Sequence, residues 1–175
     1  MARTSKPTRL VLVDGPSGAG KTDYASALAL RTGATLVSLD EVYPGWDGLD
    51  AGSWHIHHHV IVPIAQGLPG RYQRWDWTAS APGDWVDVPI DRPLVIEGCG
   101  AIRAEALSIP AHRLWVDASS DVRKARALAR DGEIYAPHWQ RWALQEQRFL
   151  ARHNGVGNAD TIVATDKVFG VSNGA

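Results

Sequence analysis

The sequence has a single cysteine, no long apolar run and almost no net charge, and each absence narrows the range of functions. Because Cys99 is the only cysteine, no disulfide can form within the chain, and a reducing compartment, the cytoplasm, is expected. The N-terminal segment "MARTSKPTRL" is polar and basic and is followed only by "VLV", so neither a signal peptide nor a membrane span is predicted. A formal net charge of −1 gives no indication of a nucleic-acid polymer or an anionic membrane as a partner.

The pattern of apolar residues predicts alternating strands and helices. With 175 residues and 45% hydrophobic content, the chain is long enough to bury one core, and residues 1–175 are predicted to form one domain. The predicted strands are 9–13, 34–39, 93–98, 112–118 and 160–166, and the predicted helices are 21–31, 53–66, 101–107, 121–131 and 137–152. This alternation favours an α/β fold, a three-layer αβα sandwich with a mostly parallel sheet.

Some segments of this pattern are less regular. Ser53 is expected to cap the second helix, and Pro63 is expected to kink or end it. Ser119 or Ser120 is expected to cap the helix that follows the fourth strand. Residues 71–90, rich in Trp, Pro and Asp, are predicted to be irregular, and residues 170–175 are predicted to fray.

The segment "GPSGAGKT" matches the phosphate-binding pattern G-x-x-x-x-G-K-[ST] without a mismatch. It follows a predicted strand and precedes a predicted helix, the context that the pattern requires. Backbone N–H groups and the helix dipole would face phosphate oxygens, with Lys21 on the β and γ phosphates and Thr22 on Mg²⁺. The predicted nucleotide-binding residues are Gly15, Pro16, Ser17, Gly18, Ala19, Gly20, Lys21 and Thr22.

The class of nucleotide-binding protein follows from what surrounds this loop. A GTPase would carry an N-K-x-D segment for guanine, and "ATDK" at 164–167 does not fit it. The chain is too short for a large motor ATPase, which leaves a compact phosphotransferase.

Four further segments carry a family resemblance, namely "SLDEVYPGW" at 38–46, "RWDW" at 74–77, "LVIEGCGA" at 94–101 and "RALARD" at 126–131. With the phosphate loop, they make the chain resemble P-loop kinases of the uridine kinase and nucleoside/nucleotide kinase type over most of its length. The resemblance implies a P-loop NTPase fold with a helical lid at about 119–153. It also implies ATP and Mg²⁺ as cofactors and a small-molecule acceptor. Ala127 stands where the lid motif R-R-I-x-R-D has its second arginine.

The residues themselves agree with these assignments. Asp40 ends a predicted parallel strand, at the edge where ligands of such folds bind, and could accept the proton of an attacking hydroxyl. It could instead cap the following turn, and its neighbour Glu41 could take over the role. Tyr43 and Trp46 would line the acceptor pocket.

Two other groups of residues are candidates for the chemistry. Glu97 also ends a strand and is interpreted as a Mg²⁺ ligand through water, with a loop cap as the alternative. Arg126 and Arg130 lie on one helix face with Arg123 and match the lid motif, so they are expected to contact the transferring phosphate. The alternative is a solvated basic face.

The remaining candidates concern the acceptor and a histidine cluster. Asp76 could bind a sugar hydroxyl while Trp75 stacks on a ring, and Arg74 could bind an acceptor phosphate; a Trp-rich packing loop is the alternative. The segment "HIHHH" at 55–59 has spacing for zinc, but it lacks the Glu of H-E-x-x-H and is interpreted as a polar helix face. Cys99 is interpreted as a packing residue.

These observations favour an ATP-dependent kinase for a small acceptor, a nucleoside or nucleotide first. A kinase for a non-nucleoside alcohol, such as an antibiotic or a coenzyme precursor, is the alternative, and a nucleotide-binding regulator without transfer activity is the third hypothesis. The oligomeric state stays open.

Overall fold

A five-stranded parallel sheet forms the centre of residues 10–166, the part of the chain that the computed structural model describes. The strands of this sheet are β1 (Leu10–Asp14), β2 (Thr35–Ser38), β5 (Leu94–Glu97), β6 (His112–Asp117) and β7 (Thr161–Ala164). Two further strands, β3 (Gly70–Asp76) and β4 (Ala81–Val88), form a separate two-stranded sheet. The sheet has the order β2-β5-β1-β6-β7, and each of its four strand pairs is parallel.

Helices cover both faces of this sheet. They are α1 (Lys21–Thr32), α2 (Leu49–Ile56), α3 (Val62–Ala65), α4 (Ser120–Tyr135) and α5 (Trp139–His153). Because side chains alternate along a strand, Leu12 and Ile96 pack in one core with α2 and α5, whereas Val13 and Val95 pack in a second core with α1. The predicted three-layer αβα fold class is therefore confirmed. None of the helices in residues 10–166 is long and apolar enough to cross a bilayer.

The prediction of an irregular segment at 71–90 is wrong, because β3 and β4 pair there as an antiparallel hairpin. The pairing register shifts between Gln73 and Trp75, and the turn follows Asp76. This bulge interrupts the alternation of inward and outward side chains by which a strand is recognised in a sequence.

The predicted start of the second helix is also wrong, because α2 begins at Leu49 after Gly48, and Ser53 lies inside it. The Ser53 hydroxyl donates to the Gly100 carbonyl oxygen at 2.6 Å and so ties α2 to the loop after β5. A π-helical segment, His57–Ile61, lies between α2 and α3, before Pro63. The helix predicted at 101–107 is only a short 3-10 turn, Ala104–Ala106.

The expected lid consists of α4 and α5. Ser119 occupies the N-cap position of α4, but its side chain makes no capping hydrogen bond. Gly132 breaks α4 near its end with φ 53° and ψ −134°, and a 3-10 turn, Ala136–His138, leads into α5. The predicted fraying at 170–175 lies outside the described residues.

Candidate active site

The loop between β1 and α1 has a shape that only glycine permits at two positions. Gly15 has φ +145°, and a Cβ there would lie 1.9 Å from the Val116 carbonyl oxygen. Gly18 has φ +78°, and a Cβ there would lie 2.1 Å from the Arg123 carbonyl oxygen. The loop is therefore pressed against β6 and α4, and any larger residue at these positions would force it to move.

The start of α1 fits an anion. Gly20 is its N-cap residue and has no side chain that could bond the amides of the first turn. Lys21 is buried beside them, and its ammonium donates to the Pro16 carbonyl oxygen at 2.9 Å. Burial opposes the charged form of Lys21, but the charges of the acidic groups around it outweigh burial, and its pKa is raised. A cationic Lys21 beside uncapped amides is suited to phosphates.

Glu97 lies at the end of β5 against Thr22 and is almost completely buried. The Ser38 hydroxyl donates to Glu97 Oε1 at 2.5 Å, and Thr22 Oγ1 lies 3.4 Å from both carboxylate oxygens. Burial raises the pKa of Glu97, whereas the hydrogen bond from Ser38 and the charge of Lys21 act to lower it.

These oxygens fit magnesium when phosphates complete the set of ligands. Mg²⁺ in kinases is bound by one or two protein oxygens, substrate phosphates and water. The hydroxyl of Thr22 and the carboxylate of Glu97 are ligands of this kind. No group of three or more His, Cys, Asp or Glu side chains able to hold a metal occurs within residues 10–166, so a cation here would rely on phosphates and water as well.

One cavity of about 950 Å³ brings most of the predicted site residues together. From the phosphate loop it contains Ser17, Gly18, Gly20, Lys21 and Thr22, and from elsewhere Asp40, Tyr43, Trp46, Glu97, Arg126 and Arg130. Gly15 and Pro16 line a second cavity of about 350 Å³, and Ala19 is buried in the core. Asp40 and Glu97 thus face the phosphate loop because β1, β2 and β5 end at the same edge of the sheet.

The two neighbouring acids after β2 have different surroundings. Asp40 lines the large cavity and is exposed there. Glu41 lies instead against the hairpin, where its Oε2 accepts from Tyr72 Oη at 2.9 Å and from Arg74 Nε at 2.8 Å. Of the two candidates for the base, the structure brings only Asp40 to the cavity.

Aromatic rings form the wall of the cavity beyond Asp40. The Trp46 ring is stacked on His138, with centroids 4.3 Å apart, and lies 5.2 Å from Trp77 and 5.4 Å from Tyr135. The buried Tyr43 donates its hydroxyl to the Cys99 carbonyl oxygen at 2.8 Å, so only its ring serves as a surface. This wall offers flat apolar faces to a ligand.

The two lid arginines have partners. Arg126 donates to the Thr165 hydroxyl at 3.0 Å and to the Thr165 carbonyl oxygen at 2.8 Å. Arg130 pairs with Asp131 at 2.7 Å. Both line the large cavity together with Lys21.

The predicted acceptor residues of the hairpin lie elsewhere. Arg74, Trp75 and Asp76 are not among the residues that line the large cavity. Asp76 Oδ1 accepts from the amides of Thr78 and Ala79 at 2.9 Å and so shapes the turn. Trp77 lines the cavity, whereas Trp75 was the residue expected there. The turn begins after Asp76, and the sequence pattern does not predict its position.

Sequence reasoning missed Asp14, Tyr135, Trp142 and Glu146. Asp14, at the end of β1, accepts from the amides of Gly15, Gly100 and Ile102 at 2.7–2.9 Å and fixes the loop after β5. Its place at the end of an apolar strand, like that of Asp40, could have revealed it. Glu146 contacts the phosphate loop from 129 positions away, and no local pattern marks it.

His55 and Cys99 form hydrogen bonds within the protein, whereas Nδ1 of the buried His57 has no partner among the described residues. His55 Nε2 accepts from the Gln73 amide at 3.0 Å, and its ring packs 4.5 Å from that of His59. Burial, with the nearby His59, lowers the pKa of His55. Burial raises the pKa of the Cys99 thiol well above its usual range, so Cys99 is a protonated donor, and its Sγ donates to Glu146 Oε1 at 3.1 Å.

No family model matches the sequence, and no curated protein matches it. Among solved structures, a possible uridine kinase from Bacillus stearothermophilus is 15% identical, with 93% of this chain and 91% of that chain covered and a TM-score of 0.64. Shikimate kinase from Bacteroides thetaiotaomicron is also 15% identical, with 93% and 90% covered and a TM-score of 0.56. At these identities the likeness concerns the fold. The chain has the fold of P-loop small-molecule kinases.

Proposed function

We propose that this protein is an ATP-dependent phosphotransferase that moves the γ-phosphoryl group of Mg-ATP to a small-molecule acceptor. One observation carries the proposal: a single cavity contains an anion-binding loop with a lysine, a strand-end carboxylate, a buried acid beside a threonine hydroxyl, and two arginines. A protein that only bound nucleotide would need the loop but not the acidic and aromatic half of this cavity. The fold shared with solved kinases supports the same conclusion.

Each residue has a role that follows from its position. Lys21 and the first amides of α1 would hold the phosphates, and Thr22 and Glu97 would hold Mg²⁺, which neutralises phosphate charge when bound. Asp40 would take the proton from the acceptor hydroxyl as its oxygen forms a bond to the γ-phosphorus. The bond to the β–γ bridging oxygen then breaks, ADP leaves with that oxygen, and Arg126 and Arg130 stabilise the charge of the transferring group.

For the acceptor we favour a nucleoside or nucleotide. The rings of Trp46, Trp77 and Tyr135 offer faces on which a base could stack, and Asp40 lines the same cavity. The similar structure described as a possible uridine kinase agrees with this choice. A non-nucleoside alcohol is the alternative, because the fold also occurs in a shikimate kinase.

Thermal unfolding with ligands distinguishes a kinase from a regulator. A ligand that binds the folded state raises the melting temperature, and a second ligand raises it further if it has a site of its own. We expect a rise with Mg-ADP and an additional rise when a nucleoside is added. The Lys21→Ala variant should lose the first rise. Stabilisation by nucleotide with no further shift from any acceptor would favour the regulator and contradict the proposal.

A further inference from the structure

Three hydrogen bonds join Ser17 of the phosphate loop to the expected lid. Its amide donates to Glu146 Oε1 at 2.7 Å, and its hydroxyl accepts from Tyr135 Oη at 2.9 Å. Its carbonyl oxygen accepts from Arg123 Nη1 at 3.3 Å. All three polar groups of Ser17 are thus bonded to side chains of α4 and α5.

The contact with Glu146 differs from the other two because it places a carboxylate on an amide of an anion-binding loop. The same Oε1 also accepts from the Cys99 thiol, so two neutral donors hold it. Glu146 is also one of the acidic groups whose charge raises the pKa of Lys21. The Glu146 carboxylate therefore occupies the Ser17 amide and interacts with the Lys21 ammonium. A bound phosphate would use both of these groups.

The position of Ser17 indicates which phosphate is concerned. The helix end of the loop, at Gly20–Thr22, is one side of the large cavity, and Asp40 and Trp46 belong to the acceptor side. In the proposed reaction the γ-phosphoryl group must lie between the loop and Asp40. Ser17 borders this space together with Cys99, which also lines the cavity. ADP lacks the phosphate that would reach it.

We propose that Glu146 is a positioning residue whose carboxylate holds the lid on Ser17 until the terminal phosphate of the nucleotide displaces it. This inference rests on the proposed function. Two anions at one N–H group repel each other, so the terminal phosphate of ATP must compete with the Glu146 carboxylate for the Ser17 amide. ADP lacks this phosphate and binds without that competition. The nucleotide-free chain thereby binds ATP less tightly than its loop alone would.

The displacement would also reach the acceptor wall. Trp142 precedes Glu146 by one helical turn and lies on the same face of α5. Its ring lies 4.8 Å from that of Tyr43 and 6.4 Å from that of Trp46. When Glu146 leaves Ser17, this part of α5 can move, so the terminal phosphate and the acceptor pocket are coupled through one helix.

Equilibrium binding to the full chain tests the inference, with the Mg²⁺ complexes of ADP and of the non-transferable β,γ-imido analogue of ATP as probes. In Glu146→Gln the charge is lost but an oxygen remains for the Ser17 amide. We expect its Kd for the triphosphate analogue to fall about tenfold and its Kd for ADP to change by less than about twofold. Glu133→Gln removes the same charge from an exposed site of the lid and should change neither Kd.

Two outcomes would overturn the inference. If Glu146→Gln bound both nucleotides more weakly, Glu146 would stabilise the conformation of the phosphate loop. If it bound both nucleotides more tightly by the same factor, the negative charge of Glu146 would weaken nucleotide binding without distinguishing ATP from ADP. Glu146→Asp keeps the charge but withdraws it from Ser17, so it should also bind the analogue more tightly, and it serves if the glutamine variant does not fold. If the wild-type chain bound neither nucleotide, the proposed function itself would fail.

Discussion

Adjacent carboxylates after β2 allow the catalytic assignment to be tested with one chemical change at two positions. Asp40→Asn removes the proposed base from the cavity, and Glu41→Gln makes the same change in the contact with Arg74 and Tyr72. General-base catalysis contributes about 10²- to 10⁴-fold, so Asp40→Asn should lower kcat by that factor. Its Kd for Mg-ATP should stay the same or fall, because a negative charge leaves the neighbourhood of Lys21.

Glu41→Gln should behave in the opposite way. Its ion pair with Arg74 is about half exposed, with side-chain exposures of 42% and 53%, and such pairs contribute about 0–1 kcal/mol to stability. The melting temperature should therefore fall by about 2–4 °C at most, while kcat stays within about twofold of wild type. Steady-state transfer kinetics and thermal unfolding of both variants give the comparison. Normal turnover by Asp40→Asn, or loss of turnover only in Glu41→Gln, would refute the assignment.

Three further predictions concern the loop, the strand end and the wall. Gly18→Ala would push a methyl group to 2.1 Å from the Arg123 carbonyl oxygen and should abolish nucleotide binding in calorimetry. In Gly33→Ala the added methyl group would have no atom of residues 10–166 within 4 Å, so the change should cost only about 1–2 kcal/mol of left-handed backbone strain and keep binding. Equal losses in both variants would contradict this reasoning. Burial raises the pKa of Asp14 from 3.8 to about 6, so the folded chain holds a proton that the unfolded chain has released. The free energy of unfolding should therefore fall between pH 4 and pH 7, by about 3 kcal/mol for about two pH units, and Asp14→Asn should flatten this dependence in urea titrations. Trp46→Ala should raise KM for a ring-bearing acceptor about tenfold and leave Kd for Mg-ADP unchanged; an unchanged KM would remove the ring from the acceptor site.

The sequence predicted those parts of the fold that depend on local patterns. The apolar strands and the phosphate loop are read from consecutive residues, and the alternation of strands with helices predicted the parallel sheet. Asp40 and Glu97 could be expected at one edge because parallel strands end there, and both line the cavity.

The rest depends on contacts between distant segments. The hairpin at 70–88 was missed because its bulge disturbs the strand pattern. For the same reason, the sequence did not show that Trp77 rather than Trp75 lines the cavity. Nothing near Glu146 indicates that it meets Ser17, since α5 reaches the loop only through the path of the whole lid. Likewise, the sequence does not show which of Asp40 and Glu41 faces the cavity. Only the tertiary contact of Glu41 with Arg74 and Tyr72 distinguishes the two.

A phosphoryl-transfer screen tests the central proposal most directly. The full chain is incubated with Mg-ATP and nucleosides, nucleoside monophosphates, unrelated alcohols and a small-molecule cell extract, and products are detected by mass. We predict an acceptor that gains one phosphoryl group with wild type and not with Lys21→Ala. A nucleoside product would support the favoured acceptor, and a product from another alcohol would keep the kinase and change its substrate. Binding of Mg-ATP with no phosphorylated product from any source would contradict the proposal.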